Sequence, residues 1–593
     1  MSRKKKVYIK LLALLFIFIG SIFSLSSCFT IFDYYNHYTN VSIDIVDPTN
    51  GKIEIYTNSE NTSNIESGDM LYIEAIPNNG YKCDSLLINN KECIDNPYIE
   101  VNSKSYTIEA SFSKFSEMSN DSNYYLNDNN EIDTTYYDVY ASMGYSVTPS
   151  IGDVNILVVP IEFSDYPSFS DSELNAIDIA FNGYKELNYE TNYWESVKSF
   201  YLKSSYNKLN FNFTIVDKVT SPISGRSFIN LESKSDGAGS YEILDGLKDK
   251  LKIDGESIND FTIYDSDKDG FIDGVWLIYN ASDYYEVYEY QYFWAYTYSY
   301  ESISDLASPN FARYANASQI FLYAGSEIGE DAHTLIHETG HLLGLDDYYT
   351  YDELEAPISA TGGLDMMDLN IGDHNAFSKT SLGWINPLVI NGETSITLKP
   401  FESSGEALIL PVYSNKLHSA FNEFYILEYY TPTDLFYLDS KTHYRGNYPS
   451  YYDYRGLRVF HVDARTMNPF GVLYDSDEFN TSKVATTNAE LVNARIVASS
   501  NTLSQSNNRN FLIEAITPFN IKTYENAYLG DNMGYYYKDE ELIKGLFTSG
   551  DVFNATNQSN FFNAGKTNSR TNFDYSIRVE YMDEEGIRLT IKR

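Results

Sequence analysis

The sequence predicts a multidomain chain in which an α+β domain is flanked by a small β-rich domain before it and a β-rich, sandwich-like domain after it. Three observations predict this. At 593 residues the chain is too long for one ordinary domain. Near both ends, apolar and polar residues alternate in short runs, the pattern of strands with one buried face. Between them, near-continuous apolar runs alternate with segments of helical periodicity, the pattern of buried strands covered by helices. The 55 tyrosines agree with much β-structure, because tyrosine suits half-buried strands and wet contact surfaces.

Residues 1–27 read as a targeting segment rather than as part of a fold. Arg3, Lys4, Lys5 and Lys6 form a basic start, and Leu11 to Phe23 run apolar but too short for a comfortable membrane span. Leu25-Ser26-Ser27-Cys28 follows. Small residues before a cysteine, just after an apolar stretch, resemble a bacterial lipoprotein signal. The resemblance implies cleavage before Cys28, lipidation of its thiol, and a mature protein tethered to the outer face of a membrane at the cell surface. The alternative is an ordinary secretory signal with an incidental cysteine. Residues 28–40 read as the tether. Two of the three cysteines then remain, Cys83 and Cys93. Outside the cytoplasm a disulfide between them is the natural reading, with two unpaired buried thiols as the alternative.

Residues 41–115 form the small β-rich domain. Lys52–Tyr56, Met70–Ala75 and Tyr106–Ala110 alternate as strands, and Ile76-Pro77-Asn78-Asn79-Gly80-Tyr81 carries turn chemistry. The segment resembles the small repeat domains of bacterial surface proteins, which implies spacing or adhesion. Residues 116–148 are rich in Ser, Asn and Asp and read as a linker, or equally as a pro-segment. The α+β domain spans 149–390. Val154–Phe163 and Gly274–Tyr279 read as buried strands, and Ser196–Ser205 as a helix. Short strands dominate 391–593.

Charge narrows the partners. Asp and Glu number 83 against 42 Lys and Arg, a net charge of −41. Such a surface repels nucleic acid and anionic lipid and suits cations. For most of these carboxylates the plain reading is a solvated acidic surface.

The residues that carry chemistry centre on His337-Glu338-Thr339-Gly340-His341. On a helix, positions i and i+4 share a face, so His337 and His341 can offer two imidazole nitrogens to one ion. Zinc accepts nitrogen and oxygen donors and keeps one position open for water in catalytic sites. Glu338 stands beside the first of these ligands, where a carboxylate can take a proton from that water. Gly344 follows, a residue able to adopt positive φ and end the helix sharply. The chain can then present Asp347 as a third ligand, with Asp346 as its competitor. His333, one turn earlier, is either a fourth imidazole facing the metal or a supporting or surface group. Without a metal, the segment would be a helix with two solvated or core histidines. Leu335, Ile336, Leu342 and Leu343 would pack it into the core.

The run HETGHLLGLDDYY resembles the active-site helix of the immune inhibitor A family of secreted bacterial metallopeptidases, whose pattern is HExxHxxGxxD. A second block, Thr361–Asp368 with Gly372–Lys379 and Leu382-Gly383-Trp384, resembles that family's methionine-turn segment and the helix after it. The resemblance covers roughly residues 150 to 390, with weaker echoes in EFYILEYY and GLRVFHVDA as far as Ala464. It implies a metzincin-like catalytic domain with zinc held by His337, His341 and Asp347. It implies a methionine floor beneath the metal at Met367, with Met366 as the alternative. One departure stands out: many metzincins carry a tyrosine two residues past the methionine, and here that residue is Leu369. Tyr348, Tyr349 or His374 are the substitutes within reach.

A second cation site is suggested by Asp265-Ser266-Asp267-Lys268-Asp269-Gly270 with Asp273. Carboxylates at alternate positions around a glycine turn suit calcium. The twelfth position is Trp276, not Glu, which departs from the EF-hand pattern. The expectation is a shorter structural calcium loop, with a plain acidic turn as the alternative.

The expectation is an exported, lipid-anchored zinc endopeptidase that hydrolyses extracellular proteins or peptides with Glu338 as general base. The alternative is a non-catalytic surface adhesion or binding lipoprotein on a peptidase scaffold. A glycan-degrading enzyme finds no carboxylate pair that stands out in so acidic a chain.

Overall fold

The structure is a computed structural model, and it describes residues 41–57, 65–77, 81–92, 98–114, 147–183, 195–281, 292–300, 309–323, 330–349, 360–390, 392–412, 423–441, 450–464, 466–467, 496–497, 512–518, 535–538, 541–559, 567 and 572–593. The targeting segment, Cys28, the tether, Cys93 and nearly all of the linker lie outside the described residues, as does the side chain of Cys83. The architecture is mixed α/β with strands in the majority, arranged in several sheets.

The first region builds two small sheets. One has the order Ser42–Ile45, Ser105–Lys114, Tyr81–Ile88, Lys91–Glu92, and the other Gly51–Thr57, Met70–Pro77, Tyr98–Glu100. Every second residue turns inward, so Leu71, Ile73, Leu86, Ile88, Tyr106 and Ile108 share a small core.

The sheet that positions the site contains β1 (Gly152–Glu162), β2 (Leu209–Ile215), β3 (Val275–Tyr279), β4 (Tyr296–Ser299) and β5 (Arg313–Ser318). β1 is parallel to β2 on one side and to β3 on the other, and β3 is parallel to β5. β4 runs antiparallel on β5 and forms the edge. Apolar runs in β1 and β3 follow from burial on both faces. Ile156, Val158, Trp276 and Ile278 feed one core, while Leu157, Val159, Ile161, Leu277 and Tyr279 feed another.

Helices cover the first of these faces. Asp171–Asn182 starts at a capping box made by Ser170 and Glu173, and Val197–Ser204 at one made by Ser196 and Ser199. The motif helix, His333–Leu342, buries Leu335, Ile336 and Leu342 in the same core, with Leu343 just beyond its end. Trp276 Nε1 donates to Thr339 Oγ1 at 3.3 Å and Tyr201 OH to the Ile336 carbonyl at 2.7 Å, so strand and helix both brace it.

The last region contains a five-stranded sheet in the order Leu388–Val389, Ala407–Pro411, Glu423–Tyr430, Gly456–Asp463, Ile513–Ile516. A four-stranded sheet follows the order Thr394–Leu398, Ile587–Lys592, Ser576–Met582, Val552–Asn554. Leu408, Leu410, Leu427 and Val459 of the first share a core with Val579, Leu589 and Ile591 of the second, which is sandwich packing. The opposite face of the five-stranded sheet, through Ile409, Ile426 and Phe460, belongs to the core of the motif helix. Residues on both sides of position 390 therefore share one core. Among the described residues no helix is long and apolar enough to cross a membrane.

Candidate metal centre

The motif helix ends as its glycine requires. Leu343, Gly344 and Leu345 donate their N–H groups back to the carbonyls of Thr339, His341 and Gly340, and Gly344 sits at φ 97°. That conformation is open to glycine at little cost. The reversal carries the chain back past the helix and delivers Asp347 to its two histidines.

His337 Nε2 lies 2.9 Å from Asp347 Oδ1, His341 Nε2 lies 3.3 Å from the same oxygen, and the two Nε2 atoms are 3.2 Å apart. Asp346 is not a member of this group. The opposite nitrogen of each ring fixes its tautomer. His337 Nδ1 meets the Met366 carbonyl at 2.7 Å, and His341 Nδ1 meets the Leu345 carbonyl at 2.7 Å. A carbonyl only accepts, so each Nδ1 carries a proton and each Nε2 faces inward, where its lone pair is open to an ion once any proton there is displaced. Two lone pairs and a carboxylate oxygen thus converge on one point and need a positive charge between them. A tetrahedron with bonds of about 2.0–2.2 Å has edges of about 3.3–3.6 Å, close to the separations seen. The donor set of two imidazoles and one carboxylate is one that zinc accepts, and it leaves a position open.

The electrostatics say the same. Burial opposes charge on His341, but Asp347 outweighs it and the imidazole is pushed up to about 9. Burial likewise opposes charge on Asp347, yet His341 and His337 hold its carboxyl far below the usual range. A proton and a metal ion are rival occupants of the space between them.

Glu338 is buried beside this trio. Burial raises its pKa, His341 and His337 counter that, and Asp347 adds to it. Thr297 on β4 reaches it: Oγ1 lies 2.9 Å from the Glu338 carbonyl oxygen and 3.3 Å from Oε2. Tyr349 stacks on His337, with ring centroids 6.4 Å apart and planes at 18°. Tyr348 and His374 are packed into the core. Tyr348 is fully buried with its hydroxyl on Ser378 at 2.6 Å, and His374 is fully buried among Phe200, Tyr201 and Trp384.

Both methionines are used. The Met366 carbonyl orients His337, and the Met367 sulfur lies only 2.6 Å from where a Cβ on Gly340 would stand. Gly340 therefore lets the thioether press directly on the helix. Asp365 holds this segment, accepting from Met367 N at 2.9 Å and from Asn375 Nδ2 at 2.7 Å. His333 does not face the metal point. It lies fully buried between Asp331 (Nδ1 to Oδ1, 2.6 Å) and Asp439 (Nε2 to Oδ1, 3.3 Å). Asp439 also accepts from Gly372 N, which ties the start of the helix to the chain after the methionine segment.

The second acidic group brings together Asp265, Asp267 and Asp269, with one oxygen of each within 4.8 Å of the others. Lys268 and Gly270 take the positive φ values the tight loop requires, 63° and 93°. Asp265 is only 9% exposed; Oδ2 accepts from Gly270 N, while Oδ1 has no hydrogen-bond partner. Asp273 stands outside this group. Both of its oxygens accept from Ser266 N, at 3.1 and 3.2 Å, and burial pushes its pKa up to about 7.

Thr297, Gly340 and the carbonyls of Met366 and Leu345 were not singled out from the sequence. Gly340 sits inside the motif, yet its role appears only beside Met367. No family model and no curated protein matches this chain.

Proposed function

We propose that this chain is a zinc-dependent endopeptidase with a metzincin-like catalytic domain akin to the immune inhibitor A family. The observation that carries the reading is the convergence of His337 Nε2, His341 Nε2 and Asp347 Oδ1 within 3.3 Å, with the Glu338 carboxylate buried beside them. Bound there, zinc would polarise a peptide carbonyl and acidify water. His337 and His341 supply neutral nitrogens because backbone carbonyls hold their Nδ1 protons in place. Glu338 accepts a proton from water and returns it to the departing amine nitrogen. Burial suits it to both steps, because it brings a carboxylate's proton affinity closer to neutrality.

The edge strand β4 supports a polypeptide substrate. Thr297 on that strand contacts Glu338, so an extended peptide pairing along β4 would run past the base. In this reading the protein is exported and held at the cell surface by lipid on Cys28, and Asp265, Asp267 and Asp269 bind a structural calcium ion. The orphaned Asp265 Oδ1 supports the calcium assignment.

The test is degradation of a peptide library by the purified chain, with and without a chelator, beside Glu338→Gln. Cleavage should stop with chelator, return with zinc, and fall by about 10²–10⁴-fold in the variant while zinc stays bound. Zinc-loaded protein inert toward every polypeptide would favour an adhesion role on a peptidase scaffold instead.

A further inference from the structure

We propose that Thr297 is a positioning residue for Glu338, a hydroxyl that holds the carboxylate of the base against the edge strand. The inference rests on the peptidase reading and deepens it.

The strand pattern aims the side chain. Thr297 pairs with Ala315 across β4 and β5. Its neighbours turn to the other face: Tyr296 OH reaches Ser240 Oγ and Glu232 Oε2, each at 3.3 Å, and the Tyr298 ring lies 6.4 Å from that of Tyr241. Alternation then places Thr297 on the helix side, where its Oγ1 stands 2.9 Å from the Glu338 carbonyl oxygen and 3.3 Å from Oε2. The contact joins residues 41 positions apart, so it depends on the packing of the edge strand against the motif helix.

A hydroxyl has one proton and two lone pairs. Two oxygens of the same residue lie within its reach, and rotation about the Cβ–Oγ bond chooses between them. The Thr297 proton is shared between the main-chain carbonyl and Oε2 of the carboxylate, the second a charge-assisted hydrogen bond. No proton leaves Thr297. Holding Oε2 also fixes the carboxylate plane, which leaves Oε1 for exchange with water. Valine fills the same volume without the hydroxyl, whereas serine keeps the hydroxyl and loses a methyl group.

The experiment measures kcat and KM for peptide hydrolysis, zinc content and thermal midpoint in the full chain and in Thr297→Val, Thr297→Ser and Glu338→Gln. Thr297→Val should lower kcat by about 10- to 100-fold with KM changed less than about twofold, the size expected for losing a hydrogen bond to a charged group. Zinc content should be unchanged, and Thr297→Ser should recover kcat to within about threefold of the parent. A Thr297→Val kcat equal to the parent's would overturn the assignment. So would a serine variant as impaired as the valine one, which would make the methyl group's packing the cause. A raised KM at constant kcat would make Thr297 a substrate contact instead. A parent chain that cleaves with full dependence on Glu338 keeps the peptidase reading whatever Thr297 does; a parent chain inert with zinc removes both.

Discussion

Two clusters of oxygen and nitrogen acceptors lie in this molecule, and they are built in opposite ways. At the motif helix, His337, His341 and Asp347 are largely buried, and the outer nitrogen of each imidazole is fixed by a backbone carbonyl. At the acidic loop, Asp269 is exposed and Asp267 partly so, and Asp265 alone is buried. Its carboxylates spend part of their capacity on their own loop's N–H groups. The first cluster is rigid before any ion arrives. The second is a local turn whose charges water already screens. Pre-organisation separates a centre suited to chemistry from one suited to bracing a loop.

The largest effect should follow from breaking the buried trio. Asp347→Asn keeps shape but removes the charge that balances the ion, so zinc affinity should fall by at least about 100-fold. Asp346→Asn should change it less than about threefold, because Asp346 is not in the trio. Competition with a chromogenic chelator reads both. Equal losses in the two variants would return the choice of third ligand to an open question.

The next effect sharpens the contrast within one helix. His333 stands one turn before His337, yet it sits between two carboxylates that hold a proton on it, where His337 and His341 are proposed to hold an ion. Burial disfavours that proton, but Asp331 and Asp439 outweigh burial and raise the imidazole to about 9. A folded pKa above the unfolded value of about 6.5 means the native state holds the proton more tightly. The stabilisation is therefore fully present below about pH 6.5 and is lost as pH rises through about 9. Its size is about 3 kcal/mol, from the pKa difference alone. His333→Gln should flatten this alkaline decline in denaturation midpoints between about pH 6.5 and 9. A variant that keeps the full decline would show that another group causes it.

Much of this was legible in the sequence because it is local. The i, i+4 histidines, the glycine and the aspartate lie within eleven positions of one another, so helix periodicity and one positive φ suffice to assemble them. The buried strands declared themselves by continuous apolar runs, and Val154–Phe163 and Gly274–Tyr279 match β1 and β3 to within two residues at each end. What was not legible depends on contacts between distant segments. Thr297 reads as an ordinary strand residue until the edge strand meets the helix. The carbonyls of Met366 and Leu345 carry no side-chain signature at all. Gly340 reads as a helix-weakening residue until Met367 is seen against it. The five-stranded sheet was expected to belong to a separate region, but an all-apolar strand does not announce that Leu408 and Ile409 serve different cores.

The smallest effect tests the other half of the comparison. If the acidic loop binds calcium, the ion must neutralise Asp265, whose Oδ1 is buried without a hydrogen-bond partner, together with Asp267 and Asp269. Calcium at 100 times its dissociation constant would stabilise the fold by about 2.7 kcal/mol at most, and a single substitution should remove most of that. In a chain this long, the thermal midpoint should rise by only a few degrees. Asp265→Asn should abolish the rise while leaving zinc content and peptide cleavage within about twofold of the parent. Asp273→Asn should behave differently. Its carboxylate caps Ser266 N, so it should lower the midpoint with or without calcium. A calcium-dependent rise that survives Asp265→Asn would move the ion elsewhere. A rise that disappears only with Asp273→Asn would mean that the loop rearranges on binding and recruits the fourth carboxylate, making the acidic turn less fixed than the trio of His337, His341 and Asp347 in one more respect.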